Sequence, residues 1–162
     1  MLNIRPAAEP DRDAIWNIFH EVVTAGDTYA FDSKMSRDEA LAYWFRAETH
    51  TYVAENNGQI VGTYILRANQ PGPGSHIANA AFMVAQDARG LGVGRKLAEH
   101  SLSEARLLGF RAMQFNFVAS TNAPAIRLWQ QLGFKIVGTL PGAFHHPRAG
   151  YVDVYVMFRS LL

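Results

Sequence analysis

The residues from Ala88 to Arg106, ARGLGVGRKLAEHSLSEAR, place three glycines directly before a segment with helical periodicity. A helix start leaves four backbone N–H groups without intrahelical partners and carries a partial positive charge. Glycines at positions 90, 92 and 94 let this backbone approach a ligand closely because they have no Cβ. The preceding FMVAQ predicts a strand, so the unit is strand–loop–helix. The pattern predicts a site for a phosphate or diphosphate.

Two well-known phosphate-binding motifs do not fit this segment. The G-x-G-x-x-G pattern fails because position 97 is Leu, and the next strand segment, MQFNFVAS, ends without an acidic residue to hold a ribose. The P-loop pattern fails because Gly-Lys-Ser/Thr occurs nowhere in the chain. What remains is R-x-x-G-x-G, from Arg89 to Gly94. A tight strand-to-helix turn without a ligand is the alternative interpretation.

Two asparagines lie inside strongly apolar strand segments, where asparagine is depleted. Asn79 lies in HIANAAFMVA (76–85), and Asn116 lies in the segment 112–119. If the two strands are neighbours that diverge, both amides could face one cleft and donate to a carboxylate or carbonyl. Each could instead cap a bulge or a strand end.

Two adjacent histidines lie in PGAFHHPRAG (141–150), which we expect to be a loop. One of them, assigned here as His145, is expected to border a substrate pocket and act as a base near neutral pH; His146 is the alternative. Adjacent side chains seldom point into one site, so we expect at most one to do so. No metal-ligand spacing supports a zinc site that includes His76, and no metal is expected.

Composition bounds the class of protein. The 162 residues predict one domain, 1–162. A formal charge of +1 without a basic run argues against nucleic-acid binding. Zero cysteines exclude a thiolate nucleophile, a disulfide framework and a cysteine-ligated zinc, and fit a cytoplasmic protein. We expect no secretory signal, since MLNIRPAAEPDRD has no apolar core, and no membrane span, which needs about 20 apolar residues. A homodimer is left open.

The remaining elements place these groups on one α/β domain. Apolar periodicity predicts a helix after Pro10 and Asp11, and Ser36 with Glu39 has the capping-box spacing for a second helix. The predicted order is β-α-α-β-β-β-α-β-α-β-β, with the segment 76–85 a strand buried on both faces. This order predicts a mixed sheet with helices on both faces.

The segment Arg89-Gly90-Leu91-Gly92-Val93-Gly94 resembles the acetyl-CoA diphosphate loop of the GNAT superfamily of N-acetyltransferases. A second block, NAPAIRLWQQLGF (122–134), resembles that family's N-x-x-A-x-x-L-Y-x-x-x-G-F helix, and the element order matches along the chain. The resemblance implies a GNAT fold: a mixed, mostly antiparallel sheet with a splayed parallel strand pair at the cofactor site.

The resemblance also implies which residues bind acetyl-CoA as cosubstrate. The strand backbone should pair with the pantetheine arm, the loop amides should hold the diphosphate, and Asn122 should reach the cofactor near its thiol end. The side chains of Arg95 and Lys96 could add charge. The implied cofactor set is Phe82, Met83, Val84, Arg89, Gly90, Leu91, Gly92, Val93, Gly94, Arg95, Lys96 and Asn122.

The chain departs from the family pattern at two places. Many members have a tyrosine as general acid where this chain has Trp129, whose indole N–H has no useful acidity. Members often place a glutamate base on the strand before the loop, and HIANAAFMVA contains no carboxylate. Because a lysine amine is almost fully protonated near neutral pH, a missing base argues against a protein-lysine acceptor.

Four segments are further similar to the fungal N-acetyltransferases that act on proline analogues such as azetidine-2-carboxylate: YWF (43–45), GTYILRANQPGPGSHIANAAF (62–82), FNFVASTN (115–122) and LWQQLGF (128–134). This similarity implies that Asn79 and Asn116 bind the substrate carboxylate and that Asn122 lies at the acetyl group, the three forming the catalytic set. The loop with Tyr29 and Phe31 would line the acceptor pocket, or those two aromatics could simply be packing.

The predicted activity is acetyl transfer from acetyl-CoA to the amine of a small molecule, an amino acid or analogue with a carboxylate. Direct attack in a ternary complex is expected, since no nucleophile for an acetyl-enzyme is evident. The alternatives are a peptide or protein α-amine as acceptor, and a non-catalytic GNAT-like module that binds a CoA ester.

Overall fold

The computed structural model describes residues 1–162 and contains four α-helices and seven strands. The helices are α1 (Arg12–Ala25), α2 (Arg37–Trp44), α3 (Val93–Leu107) and α4 (Ala123–Gln131). The strands are β1 (Leu2–Pro6), β2 (His50–Asn56), β3 (Gln59–Ala68), β4 (Ile77–Val84), β5 (Ala112–Ala119), β6 (Lys135–His146) and β7 (Gly150–Ser160). The predicted element order is confirmed.

All seven strands form one sheet in the order β1-β2-β3-β4-β5-β7-β6. Every neighbouring pair is antiparallel except β4 and β5, which are parallel. The connection between these two strands is α3, as a parallel pair requires a long crossover. The sheet is therefore mixed and mostly antiparallel, as expected.

Successive residues of β3 show which helices cover which face of the sheet. A Cβ on Gly62 would lie 2.9 Å from Leu97 Cδ1 and 3.0 Å from Val93 Cγ1, so glycine lets α3 approach the sheet. The next residue, Thr63, points to the other face, where its hydroxyl accepts a hydrogen bond from Trp44 Nε1 at 2.9 Å. Helices α3 and α2 thus cover opposite faces, which confirms the predicted layering.

Strand β6 corrects the prediction of a loop over 141–150. The strand continues to His146, and its ladder with β7 pairs Phe144 with Val152 and His146 with Gly150. Pro141 and Gly142 indicated a loop, but the register between Leu140 and Phe144 shifts, and the ladder then resumes. Irregularities of this kind accommodate turn-forming residues inside an antiparallel pair.

Strand β4 also differs from its prediction. Ala78, Ala80 and Met83 are buried, whereas Asn79 and Phe82 are only partly buried. The apolar composition indicated burial on both faces, but the C-terminal half of this strand borders an open cleft.

No helix in the structure combines the length and the apolar character that a membrane crossing requires.

An ion-pair cluster ties the end of β1 to the start of α1. Arg5 binds both carboxylate oxygens of Asp11, at 2.8 and 2.9 Å, and also contacts Glu55 of β2 at 2.9 Å. The Asp11 carboxylate accepts a further bond from Ala8 N–H and is buried. Hydrogen bonding to Arg5 lowers the pKa of Asp11 below its ordinary value.

Asp11→Asn is expected to lower the free energy of unfolding by about 2 kcal/mol at pH 7, because charge-assisted hydrogen bonds contribute about 1.5–3 kcal/mol. A lowered carboxyl pKa stabilises the fold above the ordinary value, and this contribution is lost as pH falls through the folded-state pKa. The difference in the free energy of unfolding between variant and wild type should therefore become smaller below about pH 4. Urea unfolding at pH 7 and pH 3 measures it. Glu9→Gln, at an exposed pair with Arg12, is the control and should cost under about 0.5 kcal/mol.

Candidate active site

The cleft opens where β4 and β5 separate. Their parallel register covers only Ile77 with Ala112 and Ala78 with Met113. Beyond these pairs, the side chain of Asn79 donates to the carbonyl of Gln114 at 2.9 Å, in the place of a ladder bond. The resulting cleft has a volume of about 820 Å³, within the usual range for small-molecule sites. The predicted splayed pair is present.

The open edge of β4 offers backbone groups to a ligand. Ala85 N–H donates to Val61 of β3 at 2.9 Å, and alternation along an antiparallel ladder then directs Met83 to β3 as well. Phe82 and Val84 direct their N–H and C=O groups into the cleft. The prediction that Phe82 to Val84 pairs with an extended ligand therefore applies to Phe82 and Val84, while the backbone of Met83 is engaged within the sheet.

Tyr29, in the loop between α1 and α2, occupies the open edge at Phe82. Its hydroxyl donates to the Phe82 carbonyl at 2.6 Å and accepts from the Phe82 N–H at 3.0 Å. Burial raises the pKa of Tyr29 to about 12, so the phenol is protonated at neutral pH. Phe31 also lines the cleft, and its ring packs 5.1 Å from the rings of Phe19 and Tyr43. The structure thus brings both predicted aromatics to the cleft and also gives each a packing role.

The glycine segment precedes α3 with two residues in the left-handed region. Gly90 has φ = 80° and Gly92, the N-cap, has φ = 79°, conformations that other residues rarely adopt. The first intrahelical bond is donated by Lys96 to Gly92. Five N–H groups in this segment donate to no protein acceptor: those of Gly90, Gly92, Val93, Gly94 and Arg95. A row of unpaired amides at a helix start fits a diphosphate.

The side chains of this segment contribute unequally. Arg89 and Gly94 line the cleft, whereas Leu91 is 71% exposed. Arg95 donates to Gln131 of α4 and pairs with Glu99 at 3.8 Å. Lys96 lies 3.9 Å from the same Glu99. Helix surface contacts therefore occupy the two cations that were expected to add charge.

Helix α4 forms the wall opposite the Tyr29 loop. Asn122 is its N-cap, with Oδ1 accepting from Ala125 N–H at 3.4 Å, and its Nδ2 has no protein acceptor. Trp129 packs 5.1 Å from the ring of Phe82 and 4.5 Å from that of Phe115. Trp129 is therefore a buried wall of the cleft, and Asn122 leaves one amide donor facing it.

Asn79 and Asn116 both line the cleft, as the sequence predicted. Each also has a partner in the protein, since Asn79 binds the Gln114 carbonyl and Asn116 donates to Asn69 Oδ1 at 2.6 Å. Asn116 is exposed and lies at the irregularity between Phe115 and Val118. Each amide therefore binds a neighbouring segment of the protein and also lines the cleft. One N–H of each amide group is left for a ligand.

The sequence predicted that His145 borders the substrate pocket, and the structure places it elsewhere. Its side chain is exposed, stacks on Tyr151 at 4.4 Å and does not line the cleft. His146 lines the cleft instead and is buried. The segment 141–150 was expected to be a loop, in which side chains do not alternate between two faces, but β6 continues to His146. Alternation along this strand places His146 on the same face as the buried Phe144.

Two charged residues of the cleft were not predicted. Asp27 precedes Tyr29 in the same loop, and Arg148 lies in the turn between β6 and β7. Their side chains approach to 3.9 Å across the cleft. No sequence signal joins two loop residues so far apart in the chain, so only the fold could identify this pair.

The groove has three consecutive regions. The unpaired amides at α3 suit an anion, the open edge of β4 suits an extended chain, and the space among the Tyr29 loop, the two asparagines and the β6–β7 turn suits a small polar molecule. The groove can therefore hold a long, phosphate-bearing ligand beside a second, smaller one.

The sequence is similar to characterised acetyltransferases. The profile of the acetyltransferase (GNAT) family matches residues 13–134. N-acetyltransferase aca1 of Schizosaccharomyces pombe is 34% identical over 151 residues, which cover 83% of this chain and 72% of that protein. The L-amino acid N-acyltransferase MnaT of Escherichia coli is 30% identical over 145 residues, covering 86% of this chain and 83% of MnaT.

Solved structures agree with this similarity. A GCN5-related N-acetyltransferase from Kribbella flavida superimposes with a TM-score of 0.95 at 45% identity, covering 98% of this chain and 97% of that one. YncA, a putative acetyltransferase from Salmonella typhimurium solved with its cofactor acetyl-CoA, has a TM-score of 0.88 at 27% identity and covers 100% of this chain and 95% of its own. The expected GNAT fold is confirmed. The chain belongs to the GNAT family and is an acetyl-CoA-dependent N-acetyltransferase.

Proposed function

We propose that this protein transfers the acetyl group of acetyl-CoA to the amine of a small molecule that carries a carboxylate, an amino acid or its analogue. The observation that carries the proposal is the set of five unpaired amides at the start of α3, one of them on Gly94 in the lining of the cleft, next to the open edge of β4 and a polar acceptor space. Relatives named for activity on amino acids support this acceptor class, the L-amino acid N-acyltransferase MnaT among them.

The residues of the groove fit coenzyme A. The N–H groups of Gly90, Gly92, Val93, Gly94 and Arg95 would bind the diphosphate, with Arg89 at the same end. Phe82 and Val84 would pair with the pantetheine arm as a neighbouring strand does. When bound, acetyl-CoA supplies the acetyl group and a thiolate leaving group.

Phe82 N–H would donate to the thioester carbonyl and polarise it. In this structure the Tyr29 hydroxyl accepts the hydrogen bond from Phe82 N–H at 3.0 Å. The carbonyl oxygen of the thioester would replace the Tyr29 oxygen as the acceptor. A donor of this kind typically contributes about 3–4 kcal/mol to transition-state stabilisation. The free Nδ2 of Asn122 would donate near the thiol end of the cofactor.

Direct attack by the neutral amine fits the groups that line the cleft. Asn79 and Asn116 would orient the acceptor through their remaining N–H groups, and Tyr29 and Phe31 would enclose it. Neither asparagine can accept a proton at neutral pH, so the amine would lose its proton to water.

Trp129→Phe is expected to leave kcat within about threefold of wild type. The indole N–H has no useful acidity, and Trp129 contacts the rings of Phe82 and Phe115 as packing. Trp129→Ala, in contrast, should lower the free energy of unfolding by about 3–5 kcal/mol. Steady-state turnover and urea unfolding of both variants check this. A loss of more than about 100-fold in kcat for Trp129→Phe, with wild-type stability, would assign Trp129 a chemical role.

Release of free CoA from acetyl-CoA tests the proposed function directly. Because the chain contains no cysteine, a thiol-reactive dye reports only the product. The panel should contain free amino acids, their carboxamides and a short peptide with a free α-amine. We expect turnover with a subset of the free amino acids. CoA binding without turnover on any amine would indicate a binding module, and turnover on the peptide alone would indicate a peptide acetyltransferase.

A further inference from the structure

We propose that the turn between β6 and β7 binds the carboxylate of the acceptor through Arg148 and His146. The proposal rests on the proposed acetyl transfer and narrows its acceptor to molecules in which a carboxylate lies close to the reacting amine. Neither residue belongs to the set that sequence similarity implies.

The hydrogen bonds of His146 determine its tautomer. Its Nδ1 accepts from the backbone N–H of Arg148 at 3.1 Å and of Ala149 at 3.0 Å. Backbone amides only donate, so Nδ1 carries no proton and the neutral ring carries its proton on Nε2. The hydrogen bonds of the ring are those at Nδ1, so Nε2 has no partner in the protein, and the residue lines the cleft. His146 therefore has a free N–H donor at the acceptor space, while its basic nitrogen is engaged by the backbone.

Arg148 supplies the positive charge at this end of the cleft. The other arginine that lines the cleft is Arg89, which lies at the diphosphate end. Arg148 Nη2 is 3.9 Å from Asp27 Oδ2, and the two side chains are 74% and 35% exposed. An exposed ion pair at this distance contributes little. An acceptor carboxylate can displace Asp27, because a guanidinium binds a carboxylate through two parallel hydrogen bonds.

One loop reaches both parts of the acceptor space. Asp27 lies 3.9 Å from Arg148, and the hydroxyl of Tyr29 accepts from the Phe82 N–H, where the acetyl carbonyl is proposed to lie. Both loop residues line the same cleft as Arg148 and Phe82. A carboxylate bound at Arg148 therefore lies in the cleft that would hold the reacting amine. Asn79 and Asn116 add neutral donors but no charge.

The test compares an amino acid with its carboxamide. For each enzyme variant, the ratio of kcat/KM for the acid to kcat/KM for the amide is measured, so that differences in amine basicity cancel between variants. Arg148→Gln should lower this ratio about tenfold relative to wild type. Arg106→Gln removes one exposed arginine outside the cleft and should leave the ratio unchanged. CoA binding and thermal unfolding confirm that each variant is folded.

Asp27→Asn should raise the acid-to-amide ratio of kcat/KM, the opposite of the effect expected for Arg148→Gln. Removing the competing carboxylate should lower KM for the amino acid about two- to fivefold relative to the amide. An unchanged ratio in Arg148→Gln, or a raised KM for the amino acid in Asp27→Asn, would overturn the carboxylate site while amine acetylation itself persists. If no amine is acetylated although CoA binds, the proposed function fails and this inference fails with it.

Discussion

Gly94→Asp is expected to weaken acetyl-CoA binding at least about 100-fold while the folded protein stays as stable as wild type or slightly more stable. Gly94 is the second residue of α3 and lines the cleft. A Cβ there would lie 3.9 Å from Val84 Cγ2, an ordinary van der Waals distance, so a side chain fits. An aspartate in the first turn of a helix is favourable by about 0.3–1 kcal/mol.

The loss of affinity follows from charge. The diphosphate is proposed to lie against the amides around Gly94, so an added carboxylate would lie next to a like charge. Two unit charges 4 Å apart repel by about 4 kcal/mol at an effective dielectric constant of 20, and about 3 kcal/mol corresponds to 100-fold in affinity. The opposite signs for stability and binding exclude unfolding as the cause.

Gly94→Asn is the matched control, since it has the same shape without the charge. It should weaken binding much less than Gly94→Asp. Calorimetric titration with acetyl-CoA and thermal unfolding measure both quantities. Equal affinities for wild type and Gly94→Asp would mean that the diphosphate lies elsewhere.

The second large effect that we predict is the dependence of kcat/KM on pH. We expect kcat/KM to rise about tenfold per pH unit below the pKa of the acceptor amine, because only the neutral amine attacks. For an amine with a pKa near 8, this amounts to about 50-fold between pH 6 and pH 8. The midpoint of the profile should move with the acceptor when amines of different basicity are compared.

Six titratable residues line the cleft: Asp27, Tyr29, Tyr43, Arg89, His146 and Arg148. Tyr29 stays protonated because burial raises its pKa to about 12. The Nδ1 of His146 is engaged by two backbone amides, and Asp27 lies beside Arg148. Tyr29 and His146 are therefore not free to take the proton of the amine near neutral pH.

If a side chain of the protein took the proton of the amine, kcat/KM would depend on pH in a different way. The rate would then level off at a pKa that belongs to the enzyme and is the same for every acceptor. His146→Gln offers a further comparison, since a glutamine amide retains a donor but cannot act as a base. If kcat/KM of His146→Gln no longer rose with pH, the account would be contradicted.

The elements around the cofactor groove were predictable because their signals are local. The glycines before α3 and the apolar run of β5 determine both elements within a few residues, and β5 was predicted with its observed bounds. The cap of α2 was likewise visible, because Ser36 accepts a hydrogen bond from the N–H of Glu39, only three residues away.

The rest depends on contacts between distant segments. That β4 and β5 separate after two pairs, and that Asn79 then binds the Gln114 carbonyl, follows from the packing of the sheet and not from either strand alone. The choice between His145 and His146 required the register of β6. The Tyr29 bond to Phe82 and the approach of Asp27 to Arg148 exist only in the folded chain.

The central claim is that main-chain amides at the start of α3 hold the diphosphate of coenzyme A. A calorimetric titration that compares coenzyme A with pantetheine, which has the same thiol arm but lacks the diphosphate and the nucleotide attached to it, tests it most directly. We predict that coenzyme A binds at least about 100-fold more tightly. Equal affinity for the two compounds would contradict the account.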